Sequence, residues 1–239
     1  MSGTRIVQIR QEILAENRIE AGAVRERLTR ACCHMVNVMA SPGAGKTSLI
    51  IRTIERLREQ FRIAVIEADL DSTVDADKIT ALGLPAVQLE TGGYCHVDAR
   101  MTNAALEHLD LEKTDLLFLE NVGNLICTAQ SDTGAHLNVA ILSVPEGDDK
   151  PLKYPVMFSY ADIILLNKSD YLELEEFDLE AFRQRVATLN PAAPVCPLSC
   201  RTGRGLDEWV HLLMERIPRG IGAPASERSG NPAPRRLSP

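Results

Sequence analysis

Between Met35 and Ser48 a short apolar run gives way to Ala-Ser-Pro-Gly-Ala-Gly-Lys-Thr-Ser. Ala40-x4-Gly45-Lys46-Thr47 fits the phosphate-binding P-loop pattern, with alanine in place of its first glycine. Small residues at Gly43, Ala44 and Gly45 let successive backbone N–H groups turn inward around phosphate oxygens. The helix that follows, through Ser48, points its positive end at the same anion. Lys46 adds a full charge, and the Thr47 hydroxyl is a ligand for Mg2+. An ordinary glycine-rich turn is the competing reading, but it does not require Lys-Thr in this register. The expected ligand is a nucleoside phosphate.

A second constellation names the base. Asn167-Lys168-Ser169-Asp170 follows the apolar run Ile163–Leu166 and matches the N-K-x-D pattern that reads guanine. The Asp170 carboxylate accepts from both N1–H and the 2-amino group, a donor pair that adenine lacks. Ser199-Cys200-Arg201 fits the loop whose backbone backs the base. GTP and GDP are therefore expected over adenine nucleotides. Glu120, at the end of the run Asp115–Glu120, is placed to hold Mg2+ through water or to orient the attacking water, unless it caps a turn. Asp69, with Asp71, Ser72, Thr73 and Asp75 close behind, reads as a switch segment that reports the γ-phosphate through Mg2+.

Cysteine and histidine suggest a third site. Cys95-His96 follows Thr91-Gly-Gly-Tyr, and Cys127 lies seven residues after Glu120. On loops, thiolate and imidazole can turn to one ion and suit Ni2+ or Zn2+. These three fall one short of a closed tetrahedral shell, which water or a two-fold mate would complete. By spacing alone, an ordinary thiol beside a surface histidine competes with that reading. Cys32-Cys33-His34 directly precedes a buried strand, so core thiols are expected there. Cys196 is expected in the core, and Cys200 to matter through its backbone. His108, His136 and His211 look isolated.

Strands are expected at Val36–Ala40, Ile63–Glu67, Ala86–Glu90, Leu116–Glu120, Val139–Val144, Ile163–Asn167 and Val195–Ser199. Helices are expected at Lys46–Gln60, Asp75–Leu82, Val97–Leu109, Leu174–Asn190 and Leu206–Ile217. Several strands lack polar alternation, as strands covered on both faces do. The expected fold class is α/β, a P-loop GTPase whose mostly parallel sheet carries helices on both faces. Residues 1–34 form an N-terminal helical segment that packs on the core or a partner, 35–219 the GTPase domain, and 220–239 a Gly-, Pro- and Arg-rich disordered tail. The 239 residues are 45% apolar and 25% charged with net charge −7, which argues against a general nucleic-acid binder. No apolar run reaches the roughly 20 residues of a membrane span, and the N-terminus lacks a signal-peptide layout, so a cytoplasmic protein with no membrane partner is expected. Its six cysteines then read as free thiols or metal ligands.

Taken together, Asn37–Ser48, Thr91-Gly-Gly-Tyr-Cys-His-Val-Asp-Ala-Arg-Met, Glu120-Asn-Val-Gly-Asn-Leu-Ile-Cys127 and Glu146-Gly-Asp-Asp-Lys-Pro resemble the hydrogenase nickel-incorporation GTPases, the HypB family. The likeness runs from about residue 10 to residue 217. The related urease nickel GTPases have a Cys-x-His loop and lack the Glu-Asn-Val-Gly-Asn-Leu run. The resemblance implies a homodimer formed with GTP, Ni2+ or Zn2+ held at its interface, and nickel insertion into the [NiFe]-hydrogenase large subunit beside a small zinc-containing HypA-like partner. It places metal ligands on Cys95, His96 and Cys127, Mg2+-side acids on Asp69 and Glu120, and on Lys153 a lysine that reaches the nucleotide across the dimer. The chain departs from many relatives in having no N-terminal Cys-x-x-Cys-x-Cys motif and no histidine-rich stretch, so tight nickel storage is not expected. Arg100 stands where some relatives have histidine, and Ala68 where glycine is common. Thr128 replaces the usual proline after Cys127, which is expected to loosen that loop. The competing functions are a GTPase serving another metalloenzyme, a P-loop small-molecule kinase, and a scaffold with a purely structural metal.

Overall fold

Seven short β-branched and leucine-rich segments form one all-parallel sheet in the computed structural model, which describes residues 9–69, 79 and 82–222. They are β1 (His34–Ala40), β2 (Ile63–Asp69), β3 (Ala86–Glu90), β4 (Leu116–Glu120), β5 (Leu137–Ser143), β6 (Ile163–Asn167) and β7 (Val195–Pro197), ordered β3-β2-β4-β1-β5-β6-β7. Every residue of β1, β4 and β6 is buried, which explains the missing polar alternation. Successive β1 side chains part to opposite faces. Val36, Val38 and Ala40 join the cluster under α2 (Lys46–Leu57) and α7 (Leu206–Arg216). Met35 joins the cluster under α1 (Ile9–Arg30) and α3 (Ala99–Leu106).

The long helices dock by an apolar stripe. Leu49, Ile50, Thr53, Ile54 and Leu57 are the buried face of α2, and the Trp209 indole N–H of α7 donates to Thr53 Oγ1 at 2.8 Å. Ala21, Val24 and Leu28 give α1 a matching stripe that packs with Ile66 and Leu106. Among the described residues the other α-helices with defined bounds are α4 (Lys150–Lys153), α5 (Pro155–Tyr160) and α6 (Leu179–Leu189), with 3-10 turns at Leu111–Lys113, Val144–Glu146 and Ser169–Tyr171.

Among the described residues the expected segments are found, β3, β4 and β6 at the expected bounds and the others with shifted ends. α6 begins at Leu179 because Asp178 caps it, accepting from Ala181 N at 2.9 Å, and α3 begins at Ala99 because Asp98 accepts from Met101 N at 2.8 Å. β5 stops at Ser143, where Ser143 and Glu146 form a capping box. The short α4 and α5 were not expected; each opens with proline in its first turn. Of the helix expected at Asp75–Leu82 only Ile79, which is helical, and Leu82, in a turn, are described; the switch residues Asp71, Ser72, Thr73 and Asp75 and the tail beyond residue 222 lie outside the described residues.

Two expectations at the α1–β1 junction need correction. Cys33 is buried and its thiol is pushed up to about 12, whereas Cys32 is exposed, not a core thiol. Cys32 sits in the turn that ends α1, at φ 54°, and only the residue after it faces inward. His136 is not isolated. It stacks on His34 with ring centroids 4.9 Å apart, and its Nδ1 accepts from Met35 N at 3.1 Å.

Burial, with His136 beside it, pushes the His34 pKa down to about 4. An unfolded histidine takes a proton near pH 6.5, so from there down to about pH 4 the unfolded chain binds a proton that folded His34 refuses. Stability is therefore full above pH 6.5 and is lost as pH falls through this window, by up to about 3 kcal/mol. Thermal midpoints at pH 7.5 and pH 5 should show the loss in the native chain and a smaller one in His34→Phe.

Candidate functional site

All strands are parallel, so their carboxyl ends gather along one edge, and the motif residues sit there. β1 ends at Ala40, and α2 starts at Lys46 after a loop in which Gly43 and Gly45 adopt φ 77° and 101°. Asn167, ending β6, donates from Nδ2 to Ala44 O at 2.8 Å, and its Oδ1 accepts from Cys200 N at 3.2 Å. Lys168 Nζ donates to Gly43 O at 2.9 Å. A single asparagine thus ties the phosphate loop to the loop Ser199–Arg201. A cavity of about 440 Å³ opens between Gly43, Ser48, Asn167, Asp170, Cys200 and Arg201, large enough for a nucleoside. The Ser199 hydroxyl, with Arg201 at 2.8 Å, holds the Asp170 carboxyl below the usual carboxylate range, so it is an ionised acceptor at neutral pH.

On the far side of the loop, Thr47 Oγ1 donates to Glu120 Oε1 at 2.7 Å. Glu120 is buried at the end of β4, level with Glu67 of β2, and Asp69 ends β2 two residues further on. A hydroxyl and a carboxylate this close are hard oxygen donors that fit Mg2+. Lys153 is not brought to this cavity. It is exposed on α4, paired with Asp149 at 2.5 Å.

Three residues that pattern reading missed, Glu146, Tyr171 and Asn121, shape the edge. The Glu146 carboxylate hydrogen-bonds the Ser41 hydroxyl of the phosphate loop and accepts from Ser143 N at 2.7 Å; Ser143-x-x-Glu146 was the available signal. The Arg201 guanidinium lies 5.7 Å from the Tyr171 ring centre. Asn121 follows Glu120 and points to the other face. Its Oδ1 accepts from Val97 N at 3.1 Å, and its Nδ2 donates to Asn37 Oδ1 at 3.0 Å.

Val97 leads to the cysteine cluster. The ligand atoms of Cys95, His96 and Cys127 all lie within 4.8 Å of one another, and all three residues are half-buried. Cys95 Sγ is 3.8 Å from His96 Nδ1, near the separation of about 3.6 Å that a thiolate and an imidazole on one tetrahedral ion require. Gly92 and Gly93, at φ 61° and 92°, bring the first loop round. In the second, Asn124 Oδ1 accepts from Ile126 N and Cys127 N at 2.7 and 2.8 Å. Thr128 Oγ1 donates to Asn124 O at 2.5 Å, so this threonine ties the loop rather than loosening it. Hydrogen bonding with Cys95, then partial burial, pushes the Cys127 thiol up. Two sulfurs and an imidazole are a soft donor set that fits Ni2+ or Zn2+. A cavity of about 420 Å³ opens onto them, walled by Asn17 and Glu20 of α1.

A family profile described as the CobW/HypB/UreG nucleotide-binding domain matches residues 34–197. The hydrogenase maturation factor HypB of Azotobacter vinelandii is 48% identical over 210 residues, covering 88% of this chain and 69% of that protein. This chain belongs to the HypB family. Solved HypB structures have the same fold. HypB from Archaeoglobus fulgidus matches with a TM-score of 0.80 at 37% identity, over 86% of this chain and 100% of that one. HypB from Helicobacter pylori, solved in complex with nickel, matches with a TM-score of 0.81 at 36% identity, over 87% and 98%. The family profile describes a nucleotide-binding domain, and the parallel α/β sheet is shared with the solved HypB structures. No helix among the described residues is long and apolar enough to cross a membrane.

Proposed function

We propose that this chain is a GTP-hydrolysing metallochaperone that dimerises with GTP and delivers nickel to a [NiFe]-hydrogenase large subunit in the cytoplasm. The observation that carries the reading is the Cys95–His96–Cys127 cluster standing on the same sheet edge as the guanine-type cavity. Glu120 and Asn121 are consecutive residues, one bonded to Thr47 of the phosphate loop and the other to Val97 of the metal loop. A shift of the β4 end on γ-phosphate binding therefore reaches both loops.

In this reading Gly43–Ser48 cradle the phosphates, and Lys46 neutralises charge that builds up on the γ-phosphate. Asn167, Lys168, Asp170 and Ser199–Arg201 hold guanine. Thr47, Asp69 and Glu120 hold Mg2+, which when bound neutralises phosphate charge, and Glu120 orients the attacking water. The three soft ligands carry nickel as cargo, or zinc in its place. A second protomer supplies the missing ligands, and its Lys153, freed from Asp149, reaches the nucleotide. A HypA-like protein is the exchange partner. Hydrolysis is slow, because a timer needs a long-lived GTP state.

Sedimentation and metal titration test this together. A non-hydrolysable GTP analogue, but not GDP, should shift the chain to dimer and change its Ni2+ affinity at least several-fold. A monomer of constant Ni2+ affinity under both nucleotides would remove the timer. Preference for ATP in competition would move the reading to a kinase.

A further inference from the structure

Helix α1 contributes no ligand to either site, yet one of its side chains sits between the two metal-bearing loops. Asn17 Oδ1 accepts from Ala99 N at 3.0 Å, three residues past His96. Its Nδ2 donates to Asp132 O at 2.9 Å and approaches Ser131 Oγ at 3.4 Å, four to five residues past Cys127. The Ala99 N–H is a first-turn donor of α3 with no intrahelical partner, and Asp98 serves Met101 instead. So one amide completes the cap of the helix behind Cys95–His96 while holding a carbonyl of the Cys127 loop. Asn17 also lines the metal cavity.

We propose that Asn17 is a positioning residue of the metal centre, fixing the separation between the Cys95–His96 loop and the Cys127 loop. The inference rests on the metal-binding reading above. The three donors come from two loops that no strand pairing joins, so their spacing depends on cross-links of this kind. Asn121 ties the first loop to the sheet, and Asn17 ties the first loop to the second. An aliphatic residue would leave a backbone donor and a carbonyl unserved. A carboxylate would serve only the donor. Partners one step behind metal ligands commonly change affinity 10- to 100-fold, through ligand orientation.

Arg25 supplies the control. It joins α1 to the same loop, bonding Asp132 at 2.8 Å and Ala135 O at 3.0 Å, but does not line the cavity. Ni2+ affinity by chelator competition, the thiolate charge-transfer band of the Co2+ form, GDP affinity and thermal midpoint should be measured for the native chain, Asn17→Ala, Asn17→Ser and Arg25→Ala. Both Asn17 variants should lose about ten-fold in Ni2+ affinity and show a displaced or weakened band at unchanged GDP affinity. Arg25→Ala should lower the midpoint with little change in Ni2+ affinity. Native affinity and spectrum in both Asn17 variants, or an equal metal loss in Arg25→Ala, would overturn the inference. A native chain that binds no Ni2+ would overturn the metal centre itself.

Discussion

Gly45→Ala should lower GDP affinity by about a hundred-fold or more while the chain stays folded. Gly45 stands at φ 101°, where a Cβ is strained, and that Cβ would lie 2.4 Å from Asn167 Nδ2. Asn167 cannot simply step aside, because the same amide holds Ala44 O and Cys200 N. Moving it releases the phosphate loop and the base loop together, so one methyl group disturbs both halves of the nucleotide site. Gly43→Ala separates strain from clash. Gly43 also has positive φ, at 77°, but a Cβ there meets nothing within 4 Å. Left-handed strain alone, roughly 1–2 kcal/mol, should cost Gly43→Ala about ten-fold. Titration with a fluorescent GDP analogue reads both. Equal losses in the two variants would mean that contact with Asn167 is not what requires Gly45.

The difference between those two glycines also shows what the sequence could tell. P-loop and N-K-x-D patterns are local, and each stands at the end of an apolar run, so strand and loop were legible together. That Asn167 also braces the phosphate loop was not, because the bond crosses 123 residues. The same holds for Asn17 and Asp132, 115 residues apart, and for the His34–His136 stack. A helix pattern shows which face is apolar and not what its polar residues touch, so α1 could be drawn without the bonds of Asn17 to Ala99 and Asp132. Cys32 and Cys33 show a finer limit. One sits at φ 54° in a helix-ending turn and the other begins the descent into the core, a distinction of a single residue that composition does not carry. α4 and α5 are too short to show an apolar period, and the proline of each lies in a first turn, where a missing N–H costs nothing.

Removing either thiol should abolish stoichiometric Ni2+ binding and leave the nucleotide site intact. Cys95 and Cys127 are half-buried on loops, and neither lines the guanine-type cavity, so Cys95→Ala and Cys127→Ala should keep GDP affinity within about two-fold and melt close to the native chain. A structural-metal scaffold makes the opposite prediction: chelation or loss of a ligand would unfold it. Here a chelated chain should remain folded and bind GDP, because its core lies in the clusters on the two faces of the sheet. Unchanged Ni2+ stoichiometry in both variants would remove the site. The thiols should also report on each other. Hydrogen bonding with Cys95 is the main cause of the raised Cys127 pKa, so the thiolate form of Cys127 is disfavoured until a cation arrives or pH rises. Metal binding must then release protons, and Ni2+ affinity should climb with pH toward the ordinary cysteine range. Cys95→Ala removes that cause. In that variant alkylation of Cys127, followed on its own peptide, should begin at lower pH than in the native chain, and a coincident profile would mean that the two sulfurs do not share a proton.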